Sequence, residues 1–128
     1  MTNVELVKQA YSDFATGNIE GALAQFDPQI EWNECKGMPF IKGDGLFVGV
    51  DAVVTNIFMN LPVYYDGFKI SPDEIFGADD KVVMMGHYEG TNKATGNVFK
   101  ANATHIWTIK NGKLSRFVQA VDTAVMNA

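Results

Sequence analysis

The sequence predicts an α+β fold: a curved antiparallel sheet forming a cone-shaped half-barrel, covered by three helices. Apolar residues recur at helical spacing twice near the start and once more after Gly49. From Phe68 onward the chain alternates in the manner of strands broken by turns. Asn111-Gly112, flanked by such segments, is a strong hairpin signal.

Thr2-Asn3-Val4-Glu5 has capping-box spacing and opens a helix over residues 2–16. Val4, Val7, Tyr11 and Phe14 then recur on one face, with Leu6 and Ala10 beside them. Gly17-Asn18 stops this helix and caps a second over 18–26, whose stripe is Ile19, Ala22, Leu23 and Phe26. Asp27-Pro28 ends it. Ile30 to Glu34 alternates as a short strand, and a loop from Gly37 to Gly49 follows. A third helix is expected over 50–61, with Val50, Val53, Val54, Ile57, Phe58 and Leu61 on one face and Pro62 as its stop. Strands are then expected over Phe68–Ile75, Lys81–Glu89, Val98–Ile109 and Lys113–Val121. Helices must cover one face of such a sheet, because that face is otherwise wet. A helix lid on a bent sheet leaves a cone-shaped interior, a common kind of ligand site.

The 128 residues suffice for one domain, residues 1–128, with a proper core. A hydrophobic share of 47% and a charged share of 20% exclude a disordered chain. Ten basic residues against 15 acidic ones give a net charge of −5, and no basic run exists, which excludes a nucleic-acid partner. The lone Cys35 rules out an intramolecular disulfide and fits a reducing compartment. The N-terminus lacks the basic start and apolar run of a secretory signal, and no apolar stretch approaches the roughly 18 residues that span a bilayer. The expectation is a cytoplasmic protein with no membrane partner.

Trp32 and Glu34 share a strand face because the strand period is two. A carboxylate in an apolar pocket has a raised pKa and can shuttle a proton; at a strand end it can equally be solvated. His105 shares its face with Ala101, Ala103, Trp107 and Ile109. There it can polarise a developing oxyanion or pass a proton, or it can be a core histidine satisfied by a backbone carbonyl or a water. His87 falls opposite Ala101–Ala103, two or more rungs from His105, so the two histidines supply no metal site. No cofactor is expected. Asp122 either caps the terminal turn Thr123–Met126 or serves as a second carboxylate at the pocket mouth. Cys35 neighbours Glu34 with no motif that marks a nucleophile.

These segments resemble the SnoaL-like and ketosteroid isomerase-like branch of the nuclear transport factor 2-like superfamily, whose fold is also called cystatin-like. The resemblance covers nearly the whole chain. It is carried by Asn18 to Phe26 running into Asp27-Pro28-Gln29-Ile30-Glu31-Trp32, and by Gly49-Val50-Asp51-Ala52-Val53. Its strongest stretch runs from His105-Ile106-Trp107 through Asn111-Gly112-Lys113 to Val121-Asp122-Thr123. It implies a domain binding a small apolar molecule, with isomerase- or cyclase-like acid–base chemistry on a small carbonyl compound. The alternative is a catalytically silent ligand-binding or dimerisation module. Glu34 falls where ketosteroid isomerases keep the carboxylate that moves the substrate proton. His105 falls, allowing one gap, where they keep a protonated aspartate, and Tyr11 is one residue off their catalytic tyrosine. Steroid isomerisation is therefore not implied. SnoaL-type cyclases pair a histidine with an aspartate near the end of the last strand, for which Asp122 is the candidate. The catalytic candidates are thus Glu34, His105 and Asp122, with Trp32, Tyr11, Phe14, Phe58, Met84, Tyr88, Trp107 and Gln119 lining the pocket. The resemblance also implies a homodimer through the outer sheet face, which would carry Asn102, Thr104 and Ile106.

Overall fold

The computed structural model describes all residues from Met1 to Ala128. Helix α1 spans Asn3–Ala15, and the Thr2 hydroxyl accepts from the Glu5 amide at 3.1 Å. Its buried face carries Leu6, Val7, Ala10 and Tyr11. Helix α2 spans Ile19–Ala24, capped by the Asn18 side chain accepting from Gly21 N at 3.1 Å.

Strand β1 spans Phe26–Asn33, so the second helix stops two residues short of the expected 26. Phe26 buries its ring in the sheet core, and Asp27 accepts from the Gln29 amide at 2.8 Å. Pro28 sits where the β1 ladder is interrupted, between Phe26 and Glu31, so its missing N–H breaks no regular pair. Inside the expected loop lies a further strand, β2 (Leu46–Val48), too short to show alternation.

The expected third helix is two short α segments joined by a wide turn. Helix α3 spans Val50–Val53, a π-helical stretch runs Val54–Phe58, and α4 spans Leu61–Tyr64. Pro62 lies in the first turn of α4 and does not end the helix; a first-turn N–H has no helical acceptor to lose. The Asn56 and Asn60 amides donate to the Ala52 and Asn56 carbonyls at 2.8 and 2.9 Å. They stitch the widened turn together.

Strand β3 (Tyr65–Ala78) is longer at both ends than expected, and β4 (Lys81–Asn92) runs three residues past Glu89. Strands β5 (Val98–Lys110) and β6 (Lys113–Val121) follow, then α5 (Thr123–Met126). The β5–β6 turn holds Asn111 and Gly112 both at positive φ, the geometry a two-residue hairpin of right-handed twist requires.

All six strands belong to one sheet in the order β2-β1-β6-β5-β4-β3. Every neighbouring pair is antiparallel apart from β1–β6, which runs parallel. A bulge between Pro72 and Glu74 on β3 faces Gly86 and Met85 on β4. A Cβ at Gly86 would strike the Ser71 carbonyl, so glycine there lets β3 fold in closely and curl the sheet. On β5 burial alternates strictly, with Phe99, Ala101, Ala103, His105, Trp107 and Ile109 inward. These side chains and the buried face of α1 enclose the interior. No helix is long and apolar enough to cross a membrane.

Candidate functional site

A cavity of about 450 Å³ opens between the concave face of the sheet and the helices. Fourteen of its 18 lining side chains are hydrophobic, so any polarity comes from Glu34, Lys69, His105 and Gln119, helped by tyrosine hydroxyls. Lys69 contributes little of it. Its ammonium turns to its register partner Glu89 at 3.5 Å, on the other face of the sheet.

Glu34 follows the end of β1, and parity continues past the strand, placing it inward after Ile30 and Trp32. It is 6% exposed, which rules out the solvated strand-end alternative. One carboxyl oxygen, Oε1, and the Trp32 indole N–H lack hydrogen-bond partners. Burial pushes the Glu34 carboxyl up to about 7; the Trp32 indole, the Cys35 backbone and the Gln119 amide are close enough to hold it from rising further. The indole tempers the carboxyl by proximity without making a hydrogen bond of normal geometry.

His105 is 2% exposed, and both ring nitrogens are engaged. Nδ1 lies 2.7 Å from the Tyr11 hydroxyl, and Nε2 meets the Tyr88 hydroxyl. Burial lowers the imidazole pKa to about 3, so the ring is neutral at physiological pH. Of the sequence alternatives, a satisfied core histidine is what forms, though its partners are phenols. Tyr11 also accepts from Trp107 Nε1 at 2.8 Å, and Tyr88 donates to Gln119 Oε1 at 2.6 Å. Gln119 Nε2 lies 3.3 Å from the Cys35 sulfur. Burial raises both phenols above their ordinary pKa and raises the Cys35 thiol too, so all three stay protonated.

Of the expected lining residues, Tyr11, Phe14, Trp32 and Phe58 face the cavity, as do Tyr88, Trp107 and Gln119. Met84 does not; it is fully buried in the main core, where its inward position on β4 is filled from all sides. Asp122 is also outside. It is exposed and accepts from the Val125 amide at 3.3 Å, the capping role, so no histidine–aspartate pair forms with His105. His87 pairs with Asp73 at 2.9 Å and lies opposite Asn102, as the register predicted. No three His, Cys, Asp or Glu side chains converge as a metal site. Nine wall residues were not foreseen from the sequence, Met38, Leu61 and Phe117 among them. Phe117 was within reach, since it shares parity with Gln119; Met38 comes from a loop with no period to read.

Residues 7–117 match the profile of the SnoaL-like domain. The chain belongs to the SnoaL-like domain family. Solved structures agree with that placement. A nuclear transport factor 2-like protein from Burkholderia thailandensis is 30% identical with a TM-score of 0.91, over 99% of this chain and 95% of that one. A nuclear transport factor 2-like protein from Burkholderia pseudomallei is 28% identical with a TM-score of 0.87, over 98% and 95%. TerC, co-crystallised with polyporic acid, is 26% identical with a TM-score of 0.85, over 98% and 95%. No curated protein matches the chain. The SnoaL-like domain here thus has the nuclear transport factor 2-like fold, with its cavity on the concave side of the sheet.

Proposed function

We propose that this SnoaL-like domain binds a small, largely apolar carbonyl compound and performs acid–base chemistry on it, with Glu34 carrying the proton. The observation that supports this most is a nine-tenths-buried carboxyl with one unpartnered oxygen, lining an otherwise apolar cavity. Buried polar atoms are nearly always satisfied, so an orphan in a cavity wall is suited to a ligand's polar group. A pKa near 7 lets the same carboxyl take a proton from a carbon beside a carbonyl and return it to another atom of that ligand. Such a transfer isomerises or cyclises the ligand with no net change in oxidation. The Trp32 indole N–H is the unpartnered donor on the same strand face, available to a ligand oxygen. The co-crystallisation of the related TerC with polyporic acid supports an organic small molecule as occupant.

One observation favours the silent ligand-binding reading. His105, Tyr11 and Tyr88 bond to one another, which leaves Glu34 without a second free acid or base. Mass spectrometry of the small molecule that copurifies with the protein identifies a substrate class. Glu34→Gln then separates the readings. Turnover of that compound falling by about 100-fold or more, with binding retained, supports catalysis. Turnover that is absent in wild type, with tight binding in both proteins, supports the silent module.

A further inference from the structure

Six side chains form one line of hydrogen bonds along the inner face: Trp107 to Tyr11, Tyr11 to His105, His105 to Tyr88, Tyr88 to Gln119 and Gln119 to Cys35. Their chemistry fixes the direction of that line. An indole N–H can only donate, so Tyr11 receives from Trp107 and must place its own proton elsewhere. Its other partner is His105 Nδ1, which therefore accepts. In a neutral imidazole the proton then sits on Nε2 and is donated to Tyr88. The Tyr88 proton goes to the Gln119 carbonyl oxygen, leaving the amide N–H side for the Cys35 sulfur.

The reverse arrangement fails on one proton. With the amide turned round, Gln119 donates to Tyr88, Tyr88 to Nε2, and Nδ1–H to Tyr11. Tyr11 then accepts twice, and its own buried proton has no acceptor. Only the forward direction gives every phenol and imidazole proton of the line an acceptor.

We propose that this line is a one-way relay that orients the Gln119 amide with its N–H side toward Glu34 and Cys35. It makes His105 a positioning residue for the Glu34 carboxyl and not a group that meets the ligand. The inference rests on the reading of Glu34 as the proton carrier. Gln119 donates from β6 to the sulfur of Cys35, the residue next to Glu34, at 3.3 Å, and its amide is among the groups that hold the carboxyl down. The titratable neighbours that feel Glu34 are Cys35, next along the chain, and Tyr88 from β4. Both stay protonated, so Glu34 is the group that changes charge near neutrality. His105 makes no hydrogen bond to it, and its influence passes through Tyr88 and Gln119.

The test is magnetic resonance on the whole chain, with nitrogen-labelled histidine and carboxyl-labelled glutamate. Wild type should show His105 as a single Nε2-protonated neutral tautomer that does not titrate over the folded range. The Glu34 midpoint should rise by about one pH unit in Gln119→Met, since a donor to the charged form is lost. It should move the same way in His105→Phe, where the amide is free to turn. An Nδ1-protonated tautomer overturns the inference, as does a Glu34 midpoint that stays put in His105→Phe. If that variant does not fold, Tyr88→Phe decides by the same criterion. Should the relay behave as stated while Glu34→Gln leaves turnover of the copurified compound intact, the functional reading falls and the relay stands.

Discussion

Trp32 stacks on Phe117, its register partner across the parallel β1–β6 pair, with ring centroids 3.8 Å apart and planes 24° apart. This pair pins the end of β1 against the last strand, so the two residues that follow carry Glu34 into the cavity. Buried aromatic pairs contribute about 0.5–1.5 kcal/mol beyond area burial. Here it also sets where the carboxyl points.

Glu34 and His105 tilt the pH dependence of stability in opposite directions. Burial lifts the carboxyl from 4.5 to about 7, so the folded state holds a proton the unfolded chain has released; stability falls as pH rises through that interval. Burial lowers the imidazole from 6.5 to about 3, so the unfolded chain takes up a proton the folded state refuses; stability falls as pH drops below 6.5. Each effect is on the order of 3–5 kcal/mol across its interval. Between about pH 4.5 and 6.5 they offset each other in wild type. Thermal melts of Glu34→Gln should then weaken toward acid, and those of His105→Phe should weaken toward neutral pH. Parallel profiles in the two variants would show that these groups do not set the slopes.

Tyr88→Phe removes one oxygen that serves both His105 Nε2 and Gln119 Oε1. The two partners are left unpaired in the core, at a cost of about 1–3 kcal/mol. Chemical denaturation should show a lower midpoint with an unchanged slope. A variant as stable as wild type would mean that water replaces the phenol.

Asp122→Ala should cost about 0.5–1 kcal/mol through loss of the α5 cap. Ligand binding should not change, because the side chain lies outside the cavity. A clear loss of ligand affinity or turnover in Asp122→Ala would restore it as a site residue.

The convex face exposes Ile106 at 39%, Met85 at 44% and Phe76 at 49%. A homodimer burying about 800 Å² per partner across this face is the expected assembly. Ile106→Asp should shift sedimentation at micromolar concentration from a dimer toward a monomer. A wild-type chain that sediments only as a monomer would remove this interface.

The strands were legible because period two survives intact: β5 buries every second side chain, and His105 and Trp107 fall inward as parity requires. Glu34 was legible for the same reason. The hydrogen-bond partners of His105 were not. The bond from Tyr11 to His105 joins residues 94 positions apart, and its existence depends on which rung of β5 lies under α1. No periodicity encodes that. The π-helical turn was hidden for another reason, since one extra residue per turn leaves Val54, Ile57 and Phe58 still on an apolar face. Asp122 read as two things at once because an aspartate after a strand has both uses; geometry alone decides.

The parallel β1–β6 pair has a consequence for how the protein comes into being. Asn33 bonds to Phe117 across 84 residues of chain, a loop closed only when the last strand docks. Closures over such spans come late, because their entropy must be overcome before any contact repays it. A chain emerging from the ribosome therefore holds Glu34, Tyr88 and His105 before it holds a complete cavity. Without residues 113–121 there is no Phe117 for Trp32 to lie on and no Gln119 to meet Glu34. The complete cavity arrives with the final strand, in the same event that completes the sheet.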